Sequence, residues 1–561
     1  MFYLCVLFFG YAYAQNVVNT TQGEVQGAVA RDGNYYVFYG VHYAGSVSGV
    51  NRFKAPPPPP QYPGVFHAVD NTVICAHPTP KGIAGMEDCL VLNIHTKNMT
   101  TPKPVMVILL GEEYSSVDVK TYSHKRLVES DVVVVTMNYR LSIFGFLCLG
   151  VPEAPGNAGL KDVLQGLRWI KDNIAGFGGD PNNVLLFGHG SGAAMVDLIT
   201  LSPQSANLVH KAFTQSGSAL APWAIAYEPV KQAEVFGEQL SYTGETPAGL
   251  ARKLVTTDIT LLSTALLEFT FLNNSVLFAP CLENRGLNDT FLTEAPIDLI
   301  KTGNYNHIPY IAGYTDREGT IRAAEAINDG WLERMQANFT NFVQVDLGFE
   351  SITNKTAVAN NIKNFYWGNR AINMETITDY LSYHGDTMIV VSVIRGARER
   401  ALTSTASVRL LEFSYRGTRN SDWIYHQIQI DGVWHGAILN YLFDYDLKAE
   451  DEAARASLVR RVVTFANTGC VSALNGPSND QIAWQPITPT VFNYLYYAGD
   501  SSSGIVTLKE SGRVNPHTTR MEFWNNLYDN YYIRPIPVSS AEKLMSIALV
   551  LVLAQVVLSY L

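Results

Sequence analysis

The chain has 561 residues, of which 47% are hydrophobic and 16% charged, and its formal net charge is −10. This apolar fraction predicts an extensive folded core and excludes disorder over most of the length. The acidic balance, without any run of lysine and arginine, excludes nucleic acid as a partner because phosphate binding needs clustered cations. No change in composition divides residues 15–538, which we expect to form one domain.

The chain begins with a short apolar segment, residues 1–14, that ends in Ala12-Tyr13-Ala14. An apolar core followed by small residues at alternate positions is typical of a secretory signal peptide, although no basic residue precedes it here. We expect cleavage before Gln15, and a buried first strand is the alternative.

Five continuous apolar runs rich in β-branched residues predict strands at 104–110, 131–140, 183–188, 307–315 and 407–415. Runs without polar alternation are typical of parallel strands covered on both faces. Apolar residues recur at helical spacing over residues 158–177, which predicts a crossover helix between the second and third strands. We therefore predict an α/β fold with a central, mostly parallel sheet flanked by helices.

Residues 544–561 form an uncharged apolar tail that follows the small residues Ser539, Ser540 and Ala541. Small residues, a spacer and an apolar tail make up a GPI-attachment signal, and we expect residues 539–561 to be one, with Ser539 or Ser540 as the lipid attachment point. A spanning helix without a cytoplasmic tail and a core helix are the alternatives. The protein is expected on the extracellular face of the plasma membrane, held by this anchor, or secreted if the signal is not used.

Six N-x-[ST] triplets agree with passage through the secretory pathway. The candidate N-glycosylation sites are Asn19, Asn98, Asn273, Asn288, Asn338 and Asn354.

The segment FGHGSGAA, residues 187–194, is similar to the G-x-S-x-G elbow that carries the nucleophilic serine of many hydrolases. Gly188 and Gly192 occupy the two glycine positions of the pattern. The middle position is Gly190, however, and the serine follows one residue late as Ser191. A predicted strand before the segment and a helical pattern after it supply the context that the motif requires.

Several longer stretches resemble the type-B carboxylesterase and cholinesterase family of α/β-hydrolases, in order, from about residue 20 to 530. They include EDCLVLNI (87–94), FGGDPNNV (177–184), LVHKAFTQSGS (208–218) and GVWHGAILNYLF (432–443). The resemblance implies the α/β-hydrolase fold. It also implies two structural ion pairs, Arg52 with Glu87 and Arg140 with Asp162.

The cysteines are interpreted partly from this resemblance, which implies a disulfide between Cys75 and Cys89. Cys148 and Cys281 lie in apolar sequence, which favours buried thiols. Because Cys5 leaves with the signal peptide, an odd number of cysteines stays in the mature chain, and an intermolecular disulfide is left open.

Hydrolysis in this family needs a serine nucleophile, a histidine base, a carboxylate that holds the histidine, and backbone N–H groups facing the oxyanion. By resemblance Glu318 matches the acid and His435 the base. The spacing from FGGDPNNV puts the nucleophile position at Gly190, because a shift by one residue would place His189 where a small residue is needed. We interpret Gly190, Glu318 and His435 as a vestigial triad whose acid and base are kept as a structural pair.

The family's oxyanion hole follows the first strand of the sheet, where this chain has Gly111, Glu112 and Glu113 in place of a run of glycines. Glutamate side chains restrict the backbone and bring negative charge where the reaction must develop it. Together with Ser191, these residues are interpreted as a degenerate oxyanion hole.

The sequence therefore predicts a catalytically inactive, esterase-like glycoprotein without catalytic residues or cofactors. No metal site is predicted either, since neither C-x-x-C nor H-E-x-x-H spacing occurs. Resemblance to the family's non-catalytic adhesion members (neuroligins, neurotactin, gliotactin and glutactin) implies an extracellular protein partner, with a homodimer also open. Two other functions stay open: binding of a hydrophobic small molecule in the esterase gorge, and residual ester hydrolysis.

Overall fold

A computed structural model of the chain describes residues 16–538, except residues 80, 117–121, 419–427, 429–430, 444–446, 472–481 and 501–505. The predicted signal peptide (1–14), the C-terminal segment (539–561) and the candidate lipid-attachment residues Ser539 and Ser540 lie outside the described residues. Among the residues that are described, no helix is both long and apolar enough to cross a membrane.

The strands run through the whole described chain and are numbered here in order. They are β1 Val17–Thr20, β2 Gly23–Gln26, β3 Ala28–Val29, β4 Tyr36–His42, β5 Phe66–His67, β6 His77–Thr79, β7 Gly82–Ala84, β8 Val91–Thr96, β9 Lys103–Gly111, β10 Val133–Met137, β11 Gly179–Gly190, β12 Lys211–Gln215, β13 Tyr310–Thr315, β14 Val408–Ser414, β15 Asn493–Asp500 and β16 Thr507–Val514.

Eleven of these strands form one sheet in the order β16-β15-β14-β13-β12-β11-β9-β10-β8-β4-β3. The seven strands from β15 to β10 in this order are parallel to their neighbours. The outer strands at both edges pair antiparallel. The mostly parallel sheet predicted from the continuous apolar runs is thus confirmed.

Helices cover both faces of the sheet. They are α1 Lys125–Glu129, α2 Ser142–Phe146, α3 Ala158–Asn173, α4 Ser191–Leu201, α5 Pro229–Gln239, α6 Pro247–Thr256, α7 Ile259–Leu266, α8 Pro296–Thr302, α9 Ala323–Asn328, α10 Trp331–Ala337, α11 Ile352–Trp367, α12 Ile377–Gly385, α13 Val391–Thr403, α14 Leu439–Leu442, α15 Glu452–Thr468 and α16 Thr518–Tyr531.

Strand β9 illustrates why its sequence lacks polar alternation. Val105, Val107 and Leu109 belong to a core cluster on one side of the sheet, which also contains the apolar face of α3. Met106 and Ile108 belong to a second cluster, which contains apolar residues of α15. Because successive side chains of a strand point to opposite faces, a sheet buried on both sides needs apolar residues at every position.

The parallel strands end at one edge of the sheet, and this edge gathers the residues singled out in the sequence. Strand β9 ends at Gly111 and its neighbour β11 at Gly190, and these two residues are paired in register. Glu318 follows the end of β13 at Thr315. The oxyanion-hole segment, the elbow and the acid are therefore brought together by the topology.

The two ion pairs implied by the family resemblance are confirmed. Arg52 holds Glu87 through two hydrogen bonds of 2.7 Å. Arg140 donates to both carboxylate oxygens of Asp162 at 2.6 and 2.8 Å, and both side chains are almost completely buried. Bidentate geometry of this kind fixes orientation as well as charge.

The cysteines among the described residues form two disulfides. Cys75 pairs with Cys89, as the resemblance implied. Cys148 pairs with Cys281, so the expectation of buried thiols at these positions is wrong. Burial is the same for a thiol and for a disulfide, and the partners are 133 residues apart, so the local sequence carried no signal of their pairing. Cys470 is a free, exposed cysteine.

The candidate glycosylation sites differ in exposure. Asn19, Asn98, Asn288 and Asn338 are exposed, whereas Asn273 and Asn354 are partly buried. A glycan could extend into solvent from the first four without any rearrangement.

Candidate functional site

The elbow is a sharp turn between β11 and α4. Gly190 ends the strand with φ 59° and ψ −127°, and the helix begins at the next residue, Ser191. A Cβ atom on Gly192 would lie 2.2 Å from the carbonyl oxygen of Leu109, so the close approach of helix to strand requires glycine there. The structure places Gly190 at the turn's apex and Ser191 in the first turn of the helix.

The hydroxyl of Ser191 is turned toward the segment that follows β9. Its Oγ accepts a hydrogen bond from the backbone N–H of Tyr114 at 2.9 Å, and both residues are buried. A hydroxyl held in this way supports a backbone turn.

Glu318 and His435 form a buried hydrogen-bonded pair. Nδ1 of His435 lies 2.6 Å from one carboxylate oxygen of Glu318. The other oxygen accepts from the hydroxyl of Ser216 at 2.6 Å and from the backbone N–H of Thr315 at 2.7 Å. Since an acceptor-only group faces Nδ1, this nitrogen carries the hydrogen and Nε2 points away from Glu318.

The Nε2 side of His435 faces the carboxylate of Glu112. Both carboxylate oxygens lie 3.2 Å from Nε2. Nδ1 of His189 lies 3.2 Å from the same carboxylate. The ring centroids of His189 and His435 are 4.8 Å apart. Glu112 therefore contacts the histidine that the resemblance matches to the family's base.

These contacts shift the ionisation of the site. Burial alone would lower the pKa of His435, but the carboxylates of Glu112 and Glu318 outweigh it and raise the pKa to about 10. Burial acts to raise the pKa of Glu112, and the facing imidazoles outweigh it and hold that pKa below its usual range. The Glu112 side chain is 42% exposed, so water screens part of this attraction.

The absence of a side chain at Gly190 makes room for Glu112. A Cβ atom on Gly190 would lie 2.3 Å from the carbonyl oxygen of Gly111, and 2.8 Å from a carboxylate oxygen of Glu112. A serine at the apex would therefore compete with Glu112 for one space. The two departures from the family pattern are complementary in shape.

Glu113 has a different role from Glu112. Its carboxylate pairs with Arg322, which also binds Glu325 at 2.9 Å. Glu113 and Tyr114 have positive φ angles of 50° and 58°, which side-chain-bearing residues seldom adopt. The ion pair and the bond from Tyr114 to Ser191 offset this strain.

Two backbone donors of this loop are bonded within the protein. The N–H of Glu112 donates to the carbonyl oxygen of Ser116 at 3.1 Å, and the N–H of Tyr114 donates to Ser191. An oxyanion hole requires such donors to point at the substrate.

A cavity of about 390 Å³ lies beside the loop. Glu113 and Arg322 form a charged part of its wall, and Phe269, Phe271 and Phe278 contribute apolar surface. A cavity with an apolar wall and a few polar groups has the composition of a small-molecule site.

Three partners of the site were missed or underestimated in the sequence. Arg322 carried no motif, Ser216 lies within the family stretch 208–218 but was given no role, and His189 was named only as a residue that a shifted elbow would misplace. An acidic substitution in a glycine-rich loop implies a compensating cation, but only the fold identifies which arginine supplies it. The donor atoms of Glu112, His189 and His435, which no sequence spacing connects, lie within 4.8 Å of one another and could hold a metal ion.

Comparisons with known proteins agree with the geometry of the fold. A model described as the carboxylesterase family matches residues 14–524. A solved structure of juvenile hormone esterase from Manduca sexta, with OTFP covalently attached, superimposes with a TM-score of 0.79 at 24% identity, covering 91% of this chain and 99% of that one. This similarity shows the α/β-hydrolase fold.

Similar sequences include several esterases. A carboxylic ester hydrolase of Bombus ignitus is 29% identical over 531 residues, which cover 91% of this chain and 94% of that protein. Juvenile hormone esterase of Tribolium castaneum is 28% identical, covering 72% and 74%. The human bile salt-activated lipase is 28% identical, covering 88% and 66%.

The role of the Ser191 hydroxyl can be tested by its removal. Ser191→Ala leaves the buried N–H of Tyr114 without a partner, so we expect the free energy of unfolding in urea to fall by about 1–3 kcal/mol. Ser263→Ala is a matched control, because Ser263 is equally buried and its hydroxyl has no hydrogen-bond partner in the described part of the chain. Equal stability of the two variants would contradict the structural role of Ser191.

Proposed function

We propose that this chain, which belongs to the carboxylesterase family, is a catalytically inactive cell-surface member that binds an extracellular protein. The observation that carries the proposal is the position of Glu112. Its carboxylate fills the space beside Gly190 and engages His435, so the base faces an anion in place of a nucleophile.

The loss of the nucleophile is the larger of two changes. Removal of the attacking serine in a serine hydrolase costs on the order of 10⁶ in rate, and removal of one oxyanion donor costs about 10² to 10³. These groups act together, so the two factors do not multiply. Either change alone is large enough to leave little hydrolysis.

The similar proteins are named as esterases, which makes hydrolysis the activity to be excluded. Family membership alone does not decide it, because function depends on the residues of the site. The Ser191 hydroxyl, the nearest replacement in the sequence, is bonded to the backbone of Tyr114. This contact favours a non-catalytic chain over a residual hydrolase.

Restoration of the nucleophile tests this explanation. Gly190→Ser alone is expected to give less than about 1% of the p-nitrophenyl ester hydrolysis of the triple variant Gly190→Ser, Glu112→Gly, Glu113→Gly, because one removed oxyanion contribution costs at least about 10². Gly190→Ser alone should be slow because Glu112 crowds the introduced serine and because the N–H groups of Glu112 and Tyr114 are bonded within the protein. Initial rates and labelling by a fluorophosphonate probe, both measured in EDTA, provide the comparison.

Ser191→Ala in the triple variant is the control, since labelling that survives it must come from the serine introduced at the apex. Stoichiometric labelling of Ser191 in the unmodified protein would contradict the proposal. Hydrolysis by Gly190→Ser at the level of the triple variant would show that Glu112 and Glu113 do not obstruct the site.

We propose recognition of an extracellular protein because loss of hydrolysis would leave the surface of the fold available for binding a partner. We expect cells that express the full-length chain to adhere to a second cell population, or to one another if the partner is the chain itself. Aggregate counting before and after mild proteolysis of the second population measures whether the partner is a protein.

A second candidate function is the binding of an apolar small molecule, favoured by the cavity beside Glu113 and Arg322. If this function holds, we expect apolar esters to raise the unfolding temperature of the purified protein without being hydrolysed. Such a rise without protease-sensitive adhesion would replace the leading proposal by this one.

Attachment through the C-terminal segment is proposed from the sequence of residues 539–561. Treatment of intact cells with phosphatidylinositol-specific phospholipase C is expected to release the protein into the medium. Ser539→Leu combined with Ser540→Leu replaces the small residues of the attachment site and should abolish surface display of the lipid-linked form. Full retention after treatment, with a known GPI-linked protein released in parallel, would contradict the anchor.

A further inference from the structure

Glu112, His189 and His435 converge from three separate segments of the chain. Glu112 follows β9, His189 is the penultimate residue of β11, and His435 lies in the loop beyond β14. Each presents a ligand atom to the others within 4.8 Å. A hydrogen bond between Glu112 and His435 involves only two of these residues. The presence of His189 beside them needs a separate explanation.

We propose that these three residues form a binding site for a divalent transition-metal ion, zinc in the first instance. Two imidazoles and one carboxylate are the ligand set that zinc takes in open, three-residue sites. Imidazole ligands also distinguish the site from those of calcium and magnesium, which prefer oxygen.

The distances fit a shared ion. Zinc binds nitrogen and oxygen ligands at about 2.0–2.2 Å, so two ligands of a tetrahedral ion are about 3.3 Å apart. The carboxylate of Glu112 lies 3.2 Å from Nε2 of His435 and 3.2 Å from Nδ1 of His189. The ligating nitrogens of the two imidazoles lie within 4.8 Å of each other and have to move closer together to complete the triangle.

The outer hydrogen bond of His435 has the form that metal sites use. A histidine ligand donates its second ring N–H to a carboxylate or carbonyl, which fixes the tautomer and raises the basicity of the ligating nitrogen. Glu318 accepts from Nδ1 at 2.6 Å and is itself held by Ser216 and Thr315. The retained acid and base of the esterase pattern thus leave Nε2 of His435 directed at the proposed ion.

His189 supplies an independent observation. Its side chain is 3% exposed, and its Nε2 has no hydrogen-bond partner among the residues that the structure describes. Nδ1 of His189 is directed toward the carboxylate of Glu112. Coordination through Nδ1 would hold this buried imidazole in place, whereas Nε2 lies outside the proposed coordination sphere.

Charge balance and access favour a dication. With neutral imidazoles, Glu112 and Glu318 place two negative charges around His435, which one divalent ion neutralises. Coordination at Nε2 of His435 requires that any proton on this nitrogen is released to solvent. The histidines are buried whereas Glu112 is 42% exposed, so the carboxylate offers an entry path from solvent.

The space at Gly190 is part of the site. A Cβ atom there would lie 2.8 Å from a carboxylate oxygen of Glu112 and would push the ligand aside. Metal binding is therefore compatible with three features of the site together: Gly190 at the apex, Glu112 in the loop and His189 beside the apex.

Metal content provides the test. Protein purified from cells that express the full chain is stripped with EDTA, dialysed against zinc at pH 7.5, and measured for bound metal by mass spectrometry and for affinity by calorimetry. We expect about one zinc per chain, falling below about 0.2 in His189→Gln, His435→Gln and Glu112→Gln. Glu318→Gln should weaken affinity about 10- to 100-fold without loss of the site.

The matched control is His67→Gln, which removes an exposed histidine remote from the ligands in sequence and should bind zinc as the unmodified chain does. Circular dichroism verifies that each variant is folded, and cobalt substitution gives an absorption spectrum that reports coordination by nitrogen. Zinc at substoichiometric levels in the folded protein, or binding that survives loss of both His189 and His435, would overturn the proposal. Neither result depends on hydrolysis or on a protein partner.

Discussion

A single carboxylate organises the candidate site. Glu112 stands at the carboxyl end of β9 and meets His435 and His189 across the gap that Gly190 leaves open. By the family resemblance, this is where the carbonyl oxygen of an ester would gain negative charge during hydrolysis. Under the proposed function, an anion there opposes that charge and contacts His435, which agrees with glycine in place of serine at position 190.

The fold was largely predictable because its signals are local. Unbroken apolar runs such as residues 104–110 can only be buried on both faces, and the helical spacing of 158–177 sets the crossover between β10 and β11. The ends of these strands and helices were predicted less accurately. The predicted strand 131–140 is β10 at Val133–Met137, and the predicted helix ends as α3 at Asn173, with a 3-10 turn over Ile174–Phe177. Short turns at element ends are set by tertiary packing.

The site was predictable in its members but not in their contacts. The spacing from FGGDPNNV predicted an apex at Gly190, and the family resemblance predicted that Glu318 and His435 form a pair, as they do in the structure. The approach of His189 to Glu112 depends on the pairing of β9 with β11, and the pairing of Glu113 with Arg322 joins residues far apart in sequence. The disulfide of Cys148 with Cys281 was missed for the same reason, since a contact over 133 residues has no local pattern.

The central claim is that Glu112 and His435 interact directly, and a double-mutant cycle measures this coupling. The free energy of unfolding is determined in EDTA for the unmodified protein, Glu112→Gln, His435→Gln and the double variant, with Glu112→Gln and His67→Gln as a non-contacting pair. We predict a coupling of about 1 kcal/mol between Glu112 and His435, reduced from a buried pair's value by the exposure of Glu112, and none with His67. Additive effects of Glu112→Gln and His435→Gln would contradict the claim.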